Sequence, residues 1–172
     1  TGGLITTALK IRTARASGIR VSINAGVKIV SPDVLHSGST TDGTRLFVCV
    51  TQDSFPCQTY VYAVDVSSRK ASFVATIPMN RRLHSIEWHG GCLYFAGGFR
   101  PPLSATDFLH SFQVFNVATG LWGDLPPMPH ACSLAASGII GNELFVAGGR
   151  VWFSVNGMGH YEDLSTLQIY DF

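Results

Sequence analysis

Arginine, histidine and aromatic residues collect in the segments that join short apolar runs of this 172-residue chain. Guanidinium groups and aromatic rings make directional contacts with little loss of side-chain freedom, so both are enriched at binding hot spots. Such a set indicates recognition of another protein, for example through an acidic peptide segment. The alternative is that these arginines make only local loop contacts. The candidate partner-binding residues are Arg81, Arg82, Arg100, His110, Arg150, Trp152 and Tyr161.

Residues for catalysis or metal binding form no comparable pattern. The sequence contains no Ser-His-Asp signature, no phosphate-binding loop and no carboxylate pair with an acid/base partner. His36 and His84 fall in predicted inner strands, where two histidines could meet and bind a metal, although a strand histidine is more often a hydrogen-bonded core residue. We therefore expect no catalytic residue, no metal and no cofactor.

The four cysteines, Cys49, Cys57, Cys92 and Cys132, show neither C-x-x-C pairing nor zinc-site spacing. A thiol in a strand behaves as a small buried hydrophobe, so reduced structural cysteines are expected. In an oxidising compartment Cys49 and Cys57 could instead bridge the ends of one loop.

A repeated strand must position the candidate residues. Leu93-Tyr94-Phe95-Ala96-Gly97-Gly98 returns as Leu144-Phe145-Val146-Ala147-Gly148-Gly149, and Leu46-Phe47-Val48-Cys49-Val50 is a copy without the glycines. An apolar strand that recurs at this period indicates the blades of a β-propeller. Short apolar or alternating runs separated by Gly, Pro, Asn and Asp predict an all-β chain of four-stranded antiparallel sheets.

The repeats divide the chain at about 33–80, 81–130 and 131–172. The middle repeat predicts strands at 83–89, 92–96, 111–117 and 121–125. The first predicts strands at 34–40, 46–50, 60–66 and 71–76, and the last at 132–137, 143–147 and 167–171, without a fourth. Two further strands, 19–23 and 27–30, are predicted for a preceding blade. Because antiparallel strands alternate direction, one face carries the long loops 53–59, 77–82, 99–110, 126–130 and 150–165, and with them the candidate residues.

The chain resembles the kelch-repeat family. The residues that carry the resemblance are Gly97-Gly98, Phe115-Asn116 and Trp122 in one copy, and Gly148-Gly149 with Tyr170-Asp171 in the next. The resemblance implies a propeller of five to seven blades, so about three blades predict a fragment or an incomplete ring. It also implies a non-catalytic protein-interaction role, as a substrate-receptor adaptor or as a scaffold subunit. A sugar-acting or metal-dependent kelch enzyme is the alternative.

Charge is distributed unevenly along the chain, although 46% of residues are apolar and only 13% are charged. Residues 1–32 contain no acid, and we predict that they form a basic N-terminal arm; their basic residues are Lys10, Arg12, Arg15, Arg20 and Lys28. An acid-free start is also compatible with an organellar transit segment, but an intracellular, cytoplasmic protein is the main expectation. Nucleic-acid and membrane partners are not expected. The remaining blades are expected from a longer chain or from another subunit.

Overall fold

The computed structural model describes residues 34–52, 57–100, 108–156 and 158–172, and these ranges contain strands but no helix. The all-β prediction is therefore confirmed for the part of the chain that the structure describes. The predicted basic arm and the predicted strands at 19–23 and 27–30 lie outside these ranges.

The first sheet consists of four antiparallel strands in sequence order. They are β1 (Val34–Thr41), β2 (Arg45–Gln52), β3 (Gln58–Asp65) and β4 (Ala71–Thr76). Asp42 holds the β1–β2 turn, since its Oδ1 accepts hydrogen bonds from the backbone N–H groups of Thr44 and Arg45 at 2.9 and 2.6 Å. Side chains alternate along each strand, so Phe47 and Cys49 on one face of β2 are fully buried.

The second sheet repeats this arrangement. Its strands are β5 (Ser85–His89), β6 (Cys92–Ala96), β7 (Phe112–Asn116) and β8 (Leu121–Leu125), again hydrogen-bonded in sequence order. The predicted bounds of β6 and β8 are confirmed. Strand β5 begins two positions after the predicted start because Leu83 adopts a left-handed φ of 52°, which interrupts extended backbone.

The third sheet has three strands. β9 (Ala136–Ile140) pairs with β10 (Glu143–Ala147), the chain then forms a separate hairpin of β11 (Arg150–Val155) and β12 (Met158–Asp163), and β13 (Leu167–Asp171) returns to pair with β10. The segment 150–165, predicted to be a long loop, is thus mainly a β-hairpin. The strand predicted at 132–137 begins at Ala136, because Leu134 has a φ of 56°, as Leu83 does in the preceding sheet.

The sheets pack face to face, with β5 lying between β1 and β9 on the inner side. One apolar cluster joins the first two sheets, where the Phe47 and Trp88 rings stack with centroids 5.3 Å apart. A second cluster joins the second and third sheets, where Phe112 meets the edge of Tyr170 at 4.7 Å. Two complete four-stranded blades and three strands of another therefore form an arc, as the repeat pattern predicts.

The glycine pair after β6 allows the next repeat to cross at close range. The Gly98 N–H donates to the carbonyl of Cys132 at 2.7 Å, and a Cβ at Gly97 would collide with that same carbonyl. A Cβ at Gly98 would lie 2.6 Å from the carbonyl oxygen of Arg82. Both glycines have positive φ, so the pair has an architectural role.

The outer face of the third sheet is uncovered in the described part of the chain. Ile140, Leu167 and Ile169 are exposed at 69%, 60% and 53%. Phe112 in β7 occupies the position that corresponds to Leu167 in β13. The side chain of Phe112 is only 3% exposed, because the third sheet covers it. The third sheet therefore presents an apolar face of the kind that the other two sheets bury.

Candidate partner-binding site

The β11–β12 hairpin carries three of the predicted partner-binding residues on one face. In its register Arg150 lies opposite Asp163, and Trp152 lies opposite Tyr161. Directly opposed residues and their neighbours two positions away share a face of an antiparallel pair. The hairpin therefore brings Arg150, Trp152 and Tyr161 together, and we call these residues with Asp163 the hairpin face.

An ion pair organises the base of the hairpin face. The Nε and Nη2 atoms of Arg150 donate to the two carboxylate oxygens of Asp163 at 2.6 and 3.1 Å, which is a bidentate geometry. The guanidinium also lies 5.5 Å from the centroid of the Tyr161 ring. Arg150 is thus held by two neighbours on β12, although both members of the pair remain open to solvent.

The ion pair shifts the pKa values of Arg150 and Asp163 in the expected directions. The hydrogen bond from Arg150 lowers the pKa of Asp163; desolvation opposes this, and the positive charge of Arg150 lowers the pKa further. The same hydrogen bond and the carboxylate charge raise the pKa of Arg150. Because water screens exposed charges, the pair orients the side chains more than it stabilises the fold.

Trp152 occupies space that only glycine leaves free on the facing strand. A Cβ at Gly159 would lie 2.6 Å from Cζ2 of Trp152 and would also collide with its Nε1. On the opposite face of the hairpin, the rings of Phe153 and His160 stack with centroids 5.9 Å apart. All residues of β12 are exposed, so the hairpin offers aromatic and charged groups to a partner.

Arg81 lies in the interior, although the sequence placed it among the exposed loop residues. Its side chain is fully buried. The guanidinium donates to the carbonyls of Phe95 and Gly97, to Ser111 Oγ at 3.0 Å and to Gln113 Oε1 at 2.5 Å. Desolvation lowers the pKa of Arg81 to about 10, which leaves it protonated at neutral pH. Arg81 therefore holds the second blade together and does not present its charge to a partner.

The other candidates lie on segments other than the hairpin. Arg82 is partly buried, and its Nη2 lies 3.6 Å from Cys57 Sγ. His110 is exposed and uses Nδ1 for a 2.9 Å hydrogen bond with the Met128 carbonyl. Arg100 is exposed next to residues outside the described ranges.

Arg150 follows its glycine pair directly, whereas Arg100 follows the preceding pair with one residue between. Arg82 forms a β-bridge with Phe99, and Ser133 forms the corresponding bridge with Arg150. These two bridges occupy the same position in successive repeats, so Phe99 is the counterpart of Arg150. Arg100 therefore corresponds to the residue after Arg150.

Asp163 is the functional residue that the sequence reasoning missed. The available signal was Asn156-Gly157, a dipeptide that favours a two-residue hairpin turn. Asn156 has a φ of 52°, as such a turn requires. Once that hairpin is drawn, the register places Asp163 opposite Arg150.

The residues considered for metal chemistry form no cluster where the structure describes them. Among the described residues, no group of three or more His, Cys, Asp and Glu side chains could hold a metal ion. His84 is buried, with its ring centroid 5.7 Å from that of Phe95. It borders a cleft of about 410 Å³ on the inner side of the arc, where Ser137 donates to Glu87 at 2.7 Å.

The four cysteines are free thiols in the structure. Burial raises the pKa of Cys49, an effect that the charge of Arg81 only partly offsets, and burial raises the pKa of Cys57 and Cys132 as well. These three thiols are therefore poor nucleophiles at neutral pH.

In the described ranges no helix is long and apolar enough to span a membrane.

Comparison with known families agrees with the geometry. The family model of the kelch motif matches residues 80–129, which include the whole second sheet and the Arg81 interaction. The chain carries a kelch motif in this range, and its four-stranded antiparallel sheets are consistent with propeller blades. No match was found among curated proteins. Kelch repeats are in general protein-interaction domains and are typically non-catalytic.

Proposed function

We propose that this chain is a non-catalytic recognition module that binds another protein through the hairpin face. The observation that carries the proposal is the exposed β11–β12 hairpin, which holds Arg150, Trp152 and Tyr161 side by side. Loops and hairpins on a rigid scaffold are preferred sites of recognition, and Trp, Tyr and Arg are the residues most enriched at interface hot spots. The module serves as a substrate-receptor adaptor in this proposal.

The acidic peptide expected as a ligand must satisfy one condition. Arg150 already binds the Asp163 carboxylate through two hydrogen bonds. A carboxylate of the partner can therefore bind Arg150 only by displacing Asp163 or by binding beside it. We propose that the two aromatic rings supply most of the affinity and that Arg150 selects the orientation of the partner.

The experiment compares proteins captured from cells by the wild-type chain and by a Trp152→Ala/Tyr161→Ala variant, with quantitative mass spectrometry. Each hot-spot ring contributes about 2 kcal/mol or more, so the amount of a specific partner captured by the double variant is expected to fall by well over tenfold. Phe73→Ala is the matched control, because Phe73 is an exposed aromatic residue on β4, away from the hairpin. An unchanged set of partners in the double variant, with an unchanged thermal melt, refutes the proposal.

A scaffold role is the second candidate, and the uncovered apolar face of the third sheet supports it. Apolar patches of this kind mark protein contacts. We propose that this face packs on further blades or on another subunit within an intracellular assembly. An Ile140→Lys/Ile169→Lys variant is expected to lose assembly in sedimentation velocity experiments while keeping its fold. Full assembly by this variant contradicts the scaffold role.

A further inference from the structure

An arginine precedes a serine or threonine by three residues at only two positions of the sequence. Arg69 precedes Ser72 in Arg-Lys-Ala-Ser, and Arg82 precedes Ser85 in Arg-Leu-His-Ser. Serine kinases that select basic substrates read such a charge pattern with carboxylates beside their active site. Both serines match the pattern, and the fold decides which of them a kinase can reach.

Ser85 is closed to modification in the folded chain. It begins β5, which lies between β1 and β9, and only 8% of its surface is exposed. Its hydroxyl donates to the carbonyl of Ala135 in the next repeat at 3.3 Å. Phosphoryl transfer requires the hydroxyl to approach the γ-phosphate of ATP in line with the leaving oxygen. A buried hydroxyl that is bound to the next repeat does not satisfy this requirement.

Ser72 is open to solvent. It is the second residue of β4, the edge strand of the first sheet, and its side chain is exposed. It lies opposite Ala63, which belongs to the apolar cluster between the first two sheets. Its exposure is therefore found with the second sheet in place on that face. In the part of the chain that the structure describes, the Ser72 hydroxyl makes no hydrogen bond.

The basic residues before Ser72 are also available, because every residue of the β3–β4 turn is exposed. Within the described ranges, Arg69 and Lys70 form no ion pair. The other two hydroxyls of the turn are engaged, since Ser67 and Ser68 donate to Asp65 Oδ1 at 2.7 and 2.8 Å. The turn therefore presents two unpaired cations, followed by one unpaired hydroxyl.

We propose that Ser72 is a phosphorylation site for a serine kinase that selects basic residues before its acceptor. The Ser72 oxygen attacks the γ-phosphorus of ATP, the bond to the β–γ bridging oxygen breaks, ADP leaves, and the hydroxyl proton passes to the catalytic base of the kinase. The two cations and the Asp65 carboxylate of this segment sum to a charge of +1. The phosphate adds about −1.5 to −2, so the segment becomes anionic.

This site is separate from the hairpin face. The hairpin lies in the connection between the second and third strands of its sheet, whereas the turn joins the third and fourth strands of the first sheet. Successive connections of an antiparallel sheet leave from opposite ends of the strands. Trp152→Ala on the hairpin therefore leaves phosphorylation of Ser72 unchanged, and failure of either proposal leaves the other standing.

The experiment incubates the 172-residue chain with MgATP and the catalytic subunit of cyclic-AMP-dependent protein kinase, an arginine-directed serine kinase. Tandem mass spectrometry locates the phosphate. We expect stoichiometric phosphorylation of Ser72 and none of Ser85. Arg69→Ala is expected to lower kcat/KM for Ser72 at least about tenfold, because a hydrogen bond to a charged group contributes about 1.5–3 kcal/mol. Ser85→Ala is the matched control and leaves phosphorylation of Ser72 unchanged.

Two synthetic peptides separate the effect of the fold from that of the sequence. Peptides of residues 66–75 and 79–88 contain Ser72 and Ser85 without the tertiary structure, and we expect the kinase to phosphorylate both. In the folded chain only the first of these two serines is expected to react. An unmodified Ser72 in the folded chain overturns the proposal, as does equal phosphorylation of Ser72 and Ser85 in that chain.

Discussion

Replacing Arg81 with alanine removes the only guanidinium that the structure buries completely in the described ranges. Four acceptors in the second blade lose their donor, and Gln113 Oε1 and Ser111 Oγ accept the two shortest of these bonds. Gln113 in turn donates to Asp124 on β8 at 2.7 Å. The substitution therefore disturbs a polar network that spans β6, β7 and β8.

The size of the effect follows from burial. A hydrogen bond to a charged group contributes about 1.5–3 kcal/mol, but bonds in one network do not add independently. Removing the guanidinium leaves buried neutral acceptors without this donor, at about 1–3 kcal/mol each, and the truncated side chain also leaves a cavity. Arg81 is fully buried, so solvent screening does not reduce this figure. We expect Arg81→Ala to lower the free energy of unfolding by about 3–5 kcal/mol.

Urea unfolding followed by tryptophan fluorescence measures this change, since Trp88 and Trp122 report on the contact between the first two blades. Arg81→Met retains the aliphatic volume, so it is expected to be about 1 kcal/mol less destabilising than Arg81→Ala. Arg150→Ala is the matched control, because Arg150 is an exposed arginine with a carboxylate partner, and little change is expected. A loss below about 1 kcal/mol for Arg81→Ala refutes the reasoning.

Three further predictions concern other parts of the fold. Hydrogen bonds from Ser68 and Ser67 lower the pKa of Asp65 to about 2. The contribution of the Asp65 carboxylate to stability is therefore complete above pH 3.8 and is lost as the pH falls through about 2. Carbon NMR titration will measure the pKa of Asp65, which Ser68→Ala is expected to raise. Gly98→Ala places a Cβ at a φ of 92° against backbone, so we expect a loss of at least about 2 kcal/mol in urea unfolding. Cys49 and Cys132 are buried thiols, and Ellman's reagent will label them only after denaturant is added.

Each of these predictions has a clear contrary result. An Asp65 pKa near 3.8 in the folded protein shows that the turn hydrogen bonds are absent in solution. A Gly98→Ala variant as stable as the wild type shows that the next repeat does not cross at close range. Rapid labelling of Cys49 in the native protein shows that the interface between the first two blades opens readily.

The strands were largely predictable because their signals are local. Alternating apolar residues and the glycine pairs predicted β6, β8, β10 and β13 with their observed bounds. The hairpin was missed because the Asn156-Gly157 turn signal within the segment 150–165 was overlooked. The glycine-free copy was still recognised, because Leu46-Phe47-Val48-Cys49-Val50 keeps the apolar strand although Val50-Thr51 stands in place of the glycines.

The candidate site was less predictable than the fold. Trp152 and Tyr161 are brought together only through the register of the hairpin. The charge state of the same face depends on Asp163, whose pairing with Arg150 is a geometric result of that register. Arg100 and Arg150 differ by one residue in their distance from the glycine pair, and in a strand an offset of one residue reverses the direction of a side chain.

The sequence by itself determined that the chain is built from repeated units of antiparallel strands. It could do so because strand periodicity, turns and glycine pairs depend on neighbouring residues. The tertiary structure decided which arginine is buried and which is paired. Arg81 shows the reason most clearly: its acceptors lie as far along the chain as Gln113, and only the folded blade brings them within hydrogen-bonding distance.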